Sequence, residues 1–262
     1  MGLVHFGAVL AIGLAALVTA GCAGSPTPQE STQQEGTGLT SAQSERLAVT
    51  RFRNFDAGTR AVHLVIPQSE VGEIQLTGWY DFGQGVGYGA VAGGGTVWWN
   101  SDTVAFRDTP SDEPDIPLPT DGWVGYPLDP SANPLATALA LVASLGADRP
   151  ENPQLLAQSD AVWLRSDTIG TTAVDVFVGP SADGATTSAP SSERARYWVD
   201  GIGTLLVFEA PVSGVWMTVD FSDGGAVLLP SVSPSTVAPS TVSPSTVSPS
   251  TVSPSAAAPG AP

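Results

Sequence analysis

The stretch DGWVGYPLDPSANPLATALALVASL, residues 121–145, decides the fold because it predicts an almost wholly apolar helix. Asn133 is a favoured N-cap residue, Pro134 suits the first helical position, and Gly146 follows the last turn. No charged side chain lies between Pro134 and Gly146. A helix with so little polar surface must be covered on more than one side, or must face a cavity or a ligand.

Short segments with alternating apolar residues lie on both sides of this helix. GEIQLTGWYDF (72–82) precedes it, and TTAVDVFVG (171–179) and GVWMTVDF (214–221) follow it. Many short strands joined by tight turns predict an antiparallel sheet. Because only two helices are predicted beside these strands, the expected fold class is α+β.

The other predicted helix begins after Thr40, which forms a capping-box pattern with Gln43, and it ends near Gly58. Helical spacing gives this helix one apolar stripe, formed by Ala48, Val49, Phe52 and Phe55. We therefore expect that stripe to face the core.

Seven glycines between 83 and 95 raise the question of a phosphate-binding loop. The region has no Gly-Lys-Ser/Thr sequence and no dinucleotide fingerprint between a strand and a helix. Glycines in antiparallel strands more often allow bulges, curvature or a close approach of the backbone. We expect that structural role here.

The N-terminal end has the pattern of an export signal. Residues 1–21 are predicted to be a signal peptide, in which an apolar run ends in small residues before Cys22, an arrangement that resembles a lipobox. In a lipobox the Cys22 thiol receives the lipid, including a palmitate chain, and becomes the first residue. An uncleaved anchor, or a signal cut elsewhere, is the alternative. All three interpretations place the rest of the chain outside the cytoplasm.

The remaining boundaries follow from composition. Residues 22–38 are polar and predict a flexible tether, and residues 39–229 are long enough for one domain with a substantial core. Residues 230–262 repeat SPSTV or a close variant with a period of five and predict a disordered tail. Such Ser/Thr/Pro composition outside the cell indicates either O-glycosylation or an unmodified spacer.

The charge of the chain excludes one class of partner. The formal net charge is −16, and all nine cationic side chains are arginines. A nucleic-acid partner is not expected, because binding phosphates requires a basic face. Contact with a membrane is expected only through the lipid on Cys22. The lysine-free composition, rich in Ala, Gly and Pro, is typical of a high-GC genome such as that of an actinobacterium.

Little in the sequence indicates catalysis. His63 is the only histidine beyond Cys22, and no serine occupies a Gly-x-Ser-x-Gly elbow. Ligands for zinc are too few. We expect no enzymatic activity, no catalytic residue, no metal and no cofactor. A hydrolase that uses two of the many carboxylates is the least favoured alternative.

The order of these segments resembles the actinobacterial lipoproteins of the LppX/LprG group, which share the LolA-like half-barrel. The resemblance covers nearly all of 40–225 and rests on a leading helix, a run of strands and the stretch 121–145. It continues with LRSDTIGTTAVDVFV (164–178) and RYWVDGIGTLLVFEA (196–210). It implies a strongly curved antiparallel sheet of about ten strands, with helices covering its concave face.

The resemblance also implies a function: a monomeric lipoprotein, anchored through Cys22 to the outer face of the cell membrane, binds and carries a lipid, lipoglycan or other amphiphile. Inward strand positions and the helix supply the candidate cavity residues Ile74, Leu76, Leu135, Leu139, Val142, Val176, Val178, Leu206, Phe208 and Met217. The same residues could instead fill a packed core. The chain would then be a non-catalytic β scaffold that presents a surface to a protein or glycan partner.

Overall fold

The computed structural model describes residues 36–68, 72–108, 112–181, 190–225, 227–229, 232 and 235–236. Cys22, the predicted signal peptide, and most of the predicted tether and tail lie outside these residues. The described helices are α1 (Ser41–Ala57), α2 (Pro134–Ser144) and α3 (Pro153–Gln158).

The strands divide into a group before α2 and a group after α3. The first group is β1 (Thr37–Gly38), β2 (Thr59–Gln68), β3 (Gly72–Asp81), β4 (Val86–Val91), β5 (Gly95–Trp99), β6 (Thr103–Arg107) and β7 (Val124–Pro127). The second group is β8 (Val162–Ile169), β9 (Thr172–Val178), β10 (Arg196–Asp200), β11 (Leu205–Val212), β12 (Val215–Asp223) and β13 (Ser235–Thr236).

All thirteen described strands belong to one open sheet, in the order β1-β8-β9-β10-β11-β12-β2-β3-β4-β5-β6-β7-β13. Every pairing is antiparallel except that of β13, which pairs parallel to β7. The predicted α+β half-barrel class is therefore confirmed. The short edge strands β1 and β13 come from segments that the sequence places in the tether and the tail.

Local capping signals set the helix starts as predicted. The backbone N–H of Gln43 donates to Thr40 Oγ1, and the Thr40 N–H donates to Gln43 Oε1, which completes the capping box. Asn133 Oδ1 accepts from the N–H of Ala136 at the start of α2. Helix α3, which the sequence analysis does not predict, begins with the same Asn-Pro pair at 152–153.

The buried face of α1 differs from the predicted stripe. Ala48 is buried in the main core as predicted, but Val49, Phe52 and Phe55 are only half-buried, whereas the polar residue Asn54 has no exposed surface. Asn54 can be buried because its side-chain amide is hydrogen-bonded on both sides, to Leu145 O and to Arg60. The spacing of apolar residues alone does not predict the buried face of α1, because hydrogen bonds of a polar residue help to determine it.

The two faces of the sheet carry different clusters. The main core lies on the face covered by helices and includes Leu47 of α1, Leu139 of α2 and Leu156 of α3. On the other face, Leu118 and Trp123, from the acidic loop before β7, cover part of the sheet. This loop is rich in Asp and Glu and nevertheless contributes buried side chains.

One glycine shows why this sheet is rich in glycine. A Cβ atom at Gly87 of β4 would lie 2.2 Å from the indole of Trp99 on β5, and Trp99 has no exposed surface. The large ring occupies the space that a side chain at Gly87 would need. The close approach expected from the glycine-rich sequence is thus present at this pair.

Candidate functional site

Helix α2 lies on the sheet as an apolar cover. Ala138, Leu139 and Val142 have no exposed surface, and the helix contacts β3 and β11. An opening is found at each end of α2. Together the two openings form the candidate site.

The first opening, here called the α2 slot, lies between the N-terminal half of α2 and strands β6 and β7. Its volume is about 230 Å³. Its lining is mainly apolar and consists of Val104, Phe106, Tyr126, Pro127, Asp129, Ala132, Asn133, Leu135, Ala136 and Leu139. Tyr126 of this lining is 42% exposed, so apolar surface extends out to solvent.

The polar groups of the α2 slot lie at its rim. Asn133 Oδ1 is already used as the N-cap of α2. Hydrogen bonds from the Ser131 hydroxyl and backbone N–H lower the pKa of Asp129, which is therefore ionised at neutral pH. The slot thus has an apolar interior and a rim that carries one negative charge.

The second opening, here called the Tyr197 pocket, lies at the C-terminal end of α2. Its volume is about 510 Å³, within the range typical of ligand pockets. It is lined by Leu47, Thr50, Arg51, Ser144, Leu145, Glu151, Leu156, Gly179, Pro180, Ser181 and Tyr197. Leu47, Leu145 and Leu156 belong to the main core, so the pocket opens directly onto it.

The charges in the Tyr197 pocket cancel. Arg51 Nη1 donates to Glu151 Oε1 at 3.2 Å, while Arg51 Nε donates to Ser144 O at 3.0 Å and Nη2 to Gly146 O at 3.4 Å. The arginine therefore also binds the carbonyls at the C-terminal end of α2, where a positive charge is favourable. The polar half of the pocket has no net charge from this pair.

Tyr197 supplies a neutral hydroxyl to this pocket. Burial raises the pKa of Tyr197 to about 12, with an opposing effect of Arg51 and a reinforcing effect of Glu151. The ring packs edge-on against Phe208 at 5.1 Å between centroids. Because none of the described residues forms a hydrogen bond with the Tyr197 hydroxyl, it is free to donate to a ligand.

No open channel joins the α2 slot to the Tyr197 pocket. Leu76 and Met217 on the sheet and Val142 on α2 have no exposed surface. None of these three residues lines either opening. In this conformation, side chains therefore fill the region between the α2 slot and the Tyr197 pocket.

The structure divides the predicted cavity residues between the two faces. Those in or against the main core are Ile74, Leu76, Leu135, Leu139, Val142, Phe208 and Met217. Of these seven, Leu135 and Leu139 line the α2 slot. Their proposed role as ligand contacts remains a prediction.

The three other predicted residues require a correction. Val176, Val178 and Leu206 belong to a cluster on the opposite face of the sheet. Leu206 changes face at a β-bulge, since Trp198 pairs with Val207 and the next residue, Val199, pairs with Leu205.

On β9 the inward positions are instead Phe177 and Asp175. Asp175 can face the helices because its carboxylate forms an ion pair with Arg46 of α1 at 2.5 Å and accepts hydrogen bonds from Trp163 and Ser166. The predicted alternation along β9 assumed that this charged residue faces solvent, and it therefore assigned Val176 and Val178 to the wrong face.

Most of the Tyr197 pocket has no signature in the sequence. Arg51, Glu151 and Tyr197 come from α1, from the loop before α3, and from β10. No local motif joins three positions so distant along the chain. Within the described residues no group of three or more His, Cys, Asp or Glu could hold a metal ion, and no helix is long and apolar enough to cross a bilayer.

No protein-family model and no curated protein matches the sequence. Among solved structures, the lipoprotein LppX of Mycobacterium tuberculosis aligns over 72% of this chain and 97% of its own, with 15% identity and a TM-score of 0.40. LprF of Mycobacterium bovis aligns over 75% and 99%, with 11% identity and a TM-score of 0.42. A LolA-superfamily protein of Nitrosomonas europaea aligns over 71% and 93%, with 12% identity and a TM-score of 0.30. These structural neighbours come from the groups that the sequence resembles.

Proposed function

We propose that this chain is an envelope lipoprotein that binds the acyl part of an amphiphile beneath α2 and its polar part at the end of that helix. The observation that carries the proposal is the pair of openings at the two ends of one uncharged helix. One opening is mainly apolar, and the other combines core leucines with a neutral hydroxyl. The structural neighbour LppX is itself a lipoprotein, which agrees with the proposal.

The two ends of α2 are held unequally, and this difference suggests how the cover opens. At the C-terminal end, Arg51 and Asn54 of α1 bind the carbonyls of Ser144, Leu145 and Gly146. At the N-terminal end, Leu135 is only half-buried and lies beside the α2 slot. We expect the N-terminal half of α2 to lift, which would extend the slot toward Val142 and admit a hydrocarbon chain.

The Tyr197 pocket favours an uncharged, hydroxyl-bearing polar part of the ligand. The charges of Arg51 and Glu151 offset each other, and the Tyr197 hydroxyl stays protonated at any physiological pH. A sugar or glycerol hydroxyl can accept from Tyr197 without bringing an unpaired charge into the pocket. A lipoglycan or an acylated polyol has this chemistry.

We further propose that the protein lies at the outer face of the cell membrane and is not an enzyme. Lipidation of Cys22 would hold the domain at the outer face of the cell membrane through the tether. The ligand would be bound and carried without being chemically changed. A monomer is sufficient, because both openings are built from one chain.

Filling the α2 slot with a larger side chain tests this function. A fluorescent monoacylglycerol, whose head carries hydroxyls and no charge, is titrated into the full chain, into Leu135→Trp and into the control Leu155→Trp, whose position on α3 is 65% exposed. We expect Leu135→Trp to weaken binding of the probe at least about tenfold, because the indole occupies space that the hydrocarbon chain of the ligand needs. Leu155→Trp should bind as the wild type does.

The bound material gives a second measurement. Protein isolated from its own envelope should release lipid into an organic extract, as detected by mass spectrometry. Equal affinity for the probe in all three proteins, together with a lipid-free extract, would reject the proposal that the protein carries a lipid. The alternative of an anchored scaffold that presents a surface to a protein or glycan partner would then stand.

A further inference from the structure

The outer edge of β7 is occupied by the chain's own C-terminal segment. Ser235 pairs with Val124, and Thr236 pairs with Gly125, in the single parallel pairing of the described sheet. Without β13, β7 would be an edge strand with unpaired N–H and C=O groups. The strand that closes this edge contributes only two residues.

Apolar contacts upstream bring this segment to the edge. Leu229 is 1% exposed and belongs to the cluster on the face opposite the helices, and Val227 and Val232 pack against that cluster. Leu229 is the last of the described buried residues before β13, and five residues separate it from Ser235. This short connection raises the local concentration of β13 at the β7 edge.

The sequence that forms β13 is not unique in the chain. Ser235 and Thr236 are the middle of a Pro-Ser-Thr-Val unit at 234–237, and the same four residues recur at 239–242, 244–247 and 249–252. Thr and Val favour extended backbone. Proline at the start of each unit is compatible with an edge strand, where one side needs no donor.

We propose that the edge of β7 is a docking site for the Pro-Ser-Thr-Val unit, and that any of the four units of the same chain can occupy it. The backbone pairing that holds the first unit is available to each later unit, because the four are identical. Moving from the first unit to the second doubles the connection from Leu229 from five to ten residues, which lowers occupancy about threefold. The tail can thus shift in steps of five residues, and each step changes how much of it extends beyond the domain.

Amide exchange in the full chain tests this proposal. The variants replace the Ser-Thr pair of chosen units by Pro-Pro, which removes the donors that a strand needs. The first changes Ser235→Pro and Thr236→Pro, the matched control changes Ser240→Pro and Thr241→Pro, and the last changes all four units. NMR measures exchange of the β7 amides that point away from β6, with the amides bonded to β6 as an internal reference.

In the first variant we expect the protection factor of these β7 amides to fall about two- to threefold, because other units replace the altered one. In the control variant it should fall by less. The variant with all four units changed should exchange like an exposed edge. Complete loss of protection in the first variant would overturn the proposal, since docking would then require that single unit. Unchanged protection in the fourfold variant, or protection that falls on dilution, would also overturn it.

Discussion

Arg60 Nη1 donates a hydrogen bond of 2.8 Å to Oδ1 of Asn54, and both side chains are buried in a largely apolar core. Asn54 Nδ2 in turn donates to Leu145 O at 2.9 Å, and Arg60 Nη2 donates to Leu205 O at 2.9 Å. Burial lowers the pKa of Arg60, and the charges of Asp200 and Asp223 partly offset this effect. These bonds join β2, α1, β11 and the C-terminal end of α2.

Asn54→Ala should lower the free energy of unfolding by about 2–4 kcal/mol, because it leaves Arg60 and the Leu145 carbonyl without their buried partner. Urea denaturation measures the change. The control Arg53→Ala alters an exposed neighbour on the same helix and should stay within about 0.5 kcal/mol of wild type. Equal stability of the two variants would contradict a structural role for this network.

The ion pair of Asp175 with Arg46 should make stability depend on acid. Burial raises the pKa of Asp175, but hydrogen bonds from Trp163 and Ser166 and the charge of Arg46 outweigh it, so the pKa is lowered overall. A lowered pKa in the folded state contributes stability above the unfolded value of about 3.9. That contribution is lost as the pH falls through the folded pKa.

Asp175→Asn should therefore be less stable than wild type at pH 6, and the difference should shrink as the pH is lowered below about 4. Urea midpoints between pH 6 and pH 3 measure it. Asp56→Asn, at an exposed position on α1, serves as the comparison because one carboxylate is removed in each case. A difference that stays constant over this range would show that the charge of Asp175 is not the cause.

Gly87→Ala should destabilise the domain by about 1–3 kcal/mol, because the new methyl group would meet the buried Trp99 indole. Gly201→Ala is the matched control, since a Cβ at that position meets nothing within 4 Å. Thermal unfolding followed by tryptophan fluorescence compares the two. If both alanine variants unfold together with wild type, the contact between Gly87 and Trp99 does not restrict the sheet.

Cys22→Ser should abolish the proposed anchor, because a hydroxyl cannot replace the thiol that would accept the lipid. We expect the variant either to appear in the medium or to remain as the uncut precursor. Fractionation and gel migration in the native host measure this. A variant that fractionates and migrates like the wild type would show that Cys22 carries no lipid.

The sequence predicts the starts of α1 and α2 and the fold class well, because these depend on local signals. Thr40 with Gln43, and Asn133 with Pro134, cap helices through bonds that span three residues. The order of short strands is equally visible along the chain. What each side chain faces is harder to predict, because it depends on partners that lie far away in sequence.

Three misplaced residues show this limit. Val176 and Val178 lie on the outer face because Asp175 finds Arg46, which lies more than a hundred residues earlier. Leu206 faces the other side of the sheet because of a β-bulge, and no turn residue in the sequence indicates that bulge. Tyr197 and Arg51 become one pocket only when β10 and α1 meet, and the pattern of either segment alone contains no trace of it.

The outermost strands β1 and β13 are formed by the residues through which the domain joins its two flanking segments. Proteolysis that trimmed both flanks back to α1 and β12 would remove these strands as well. Such trimming would uncover β8 on one side and β7 on the other, and exposed strands of this kind recruit further molecules. Loss of β1 and β13 is therefore expected to favour self-association.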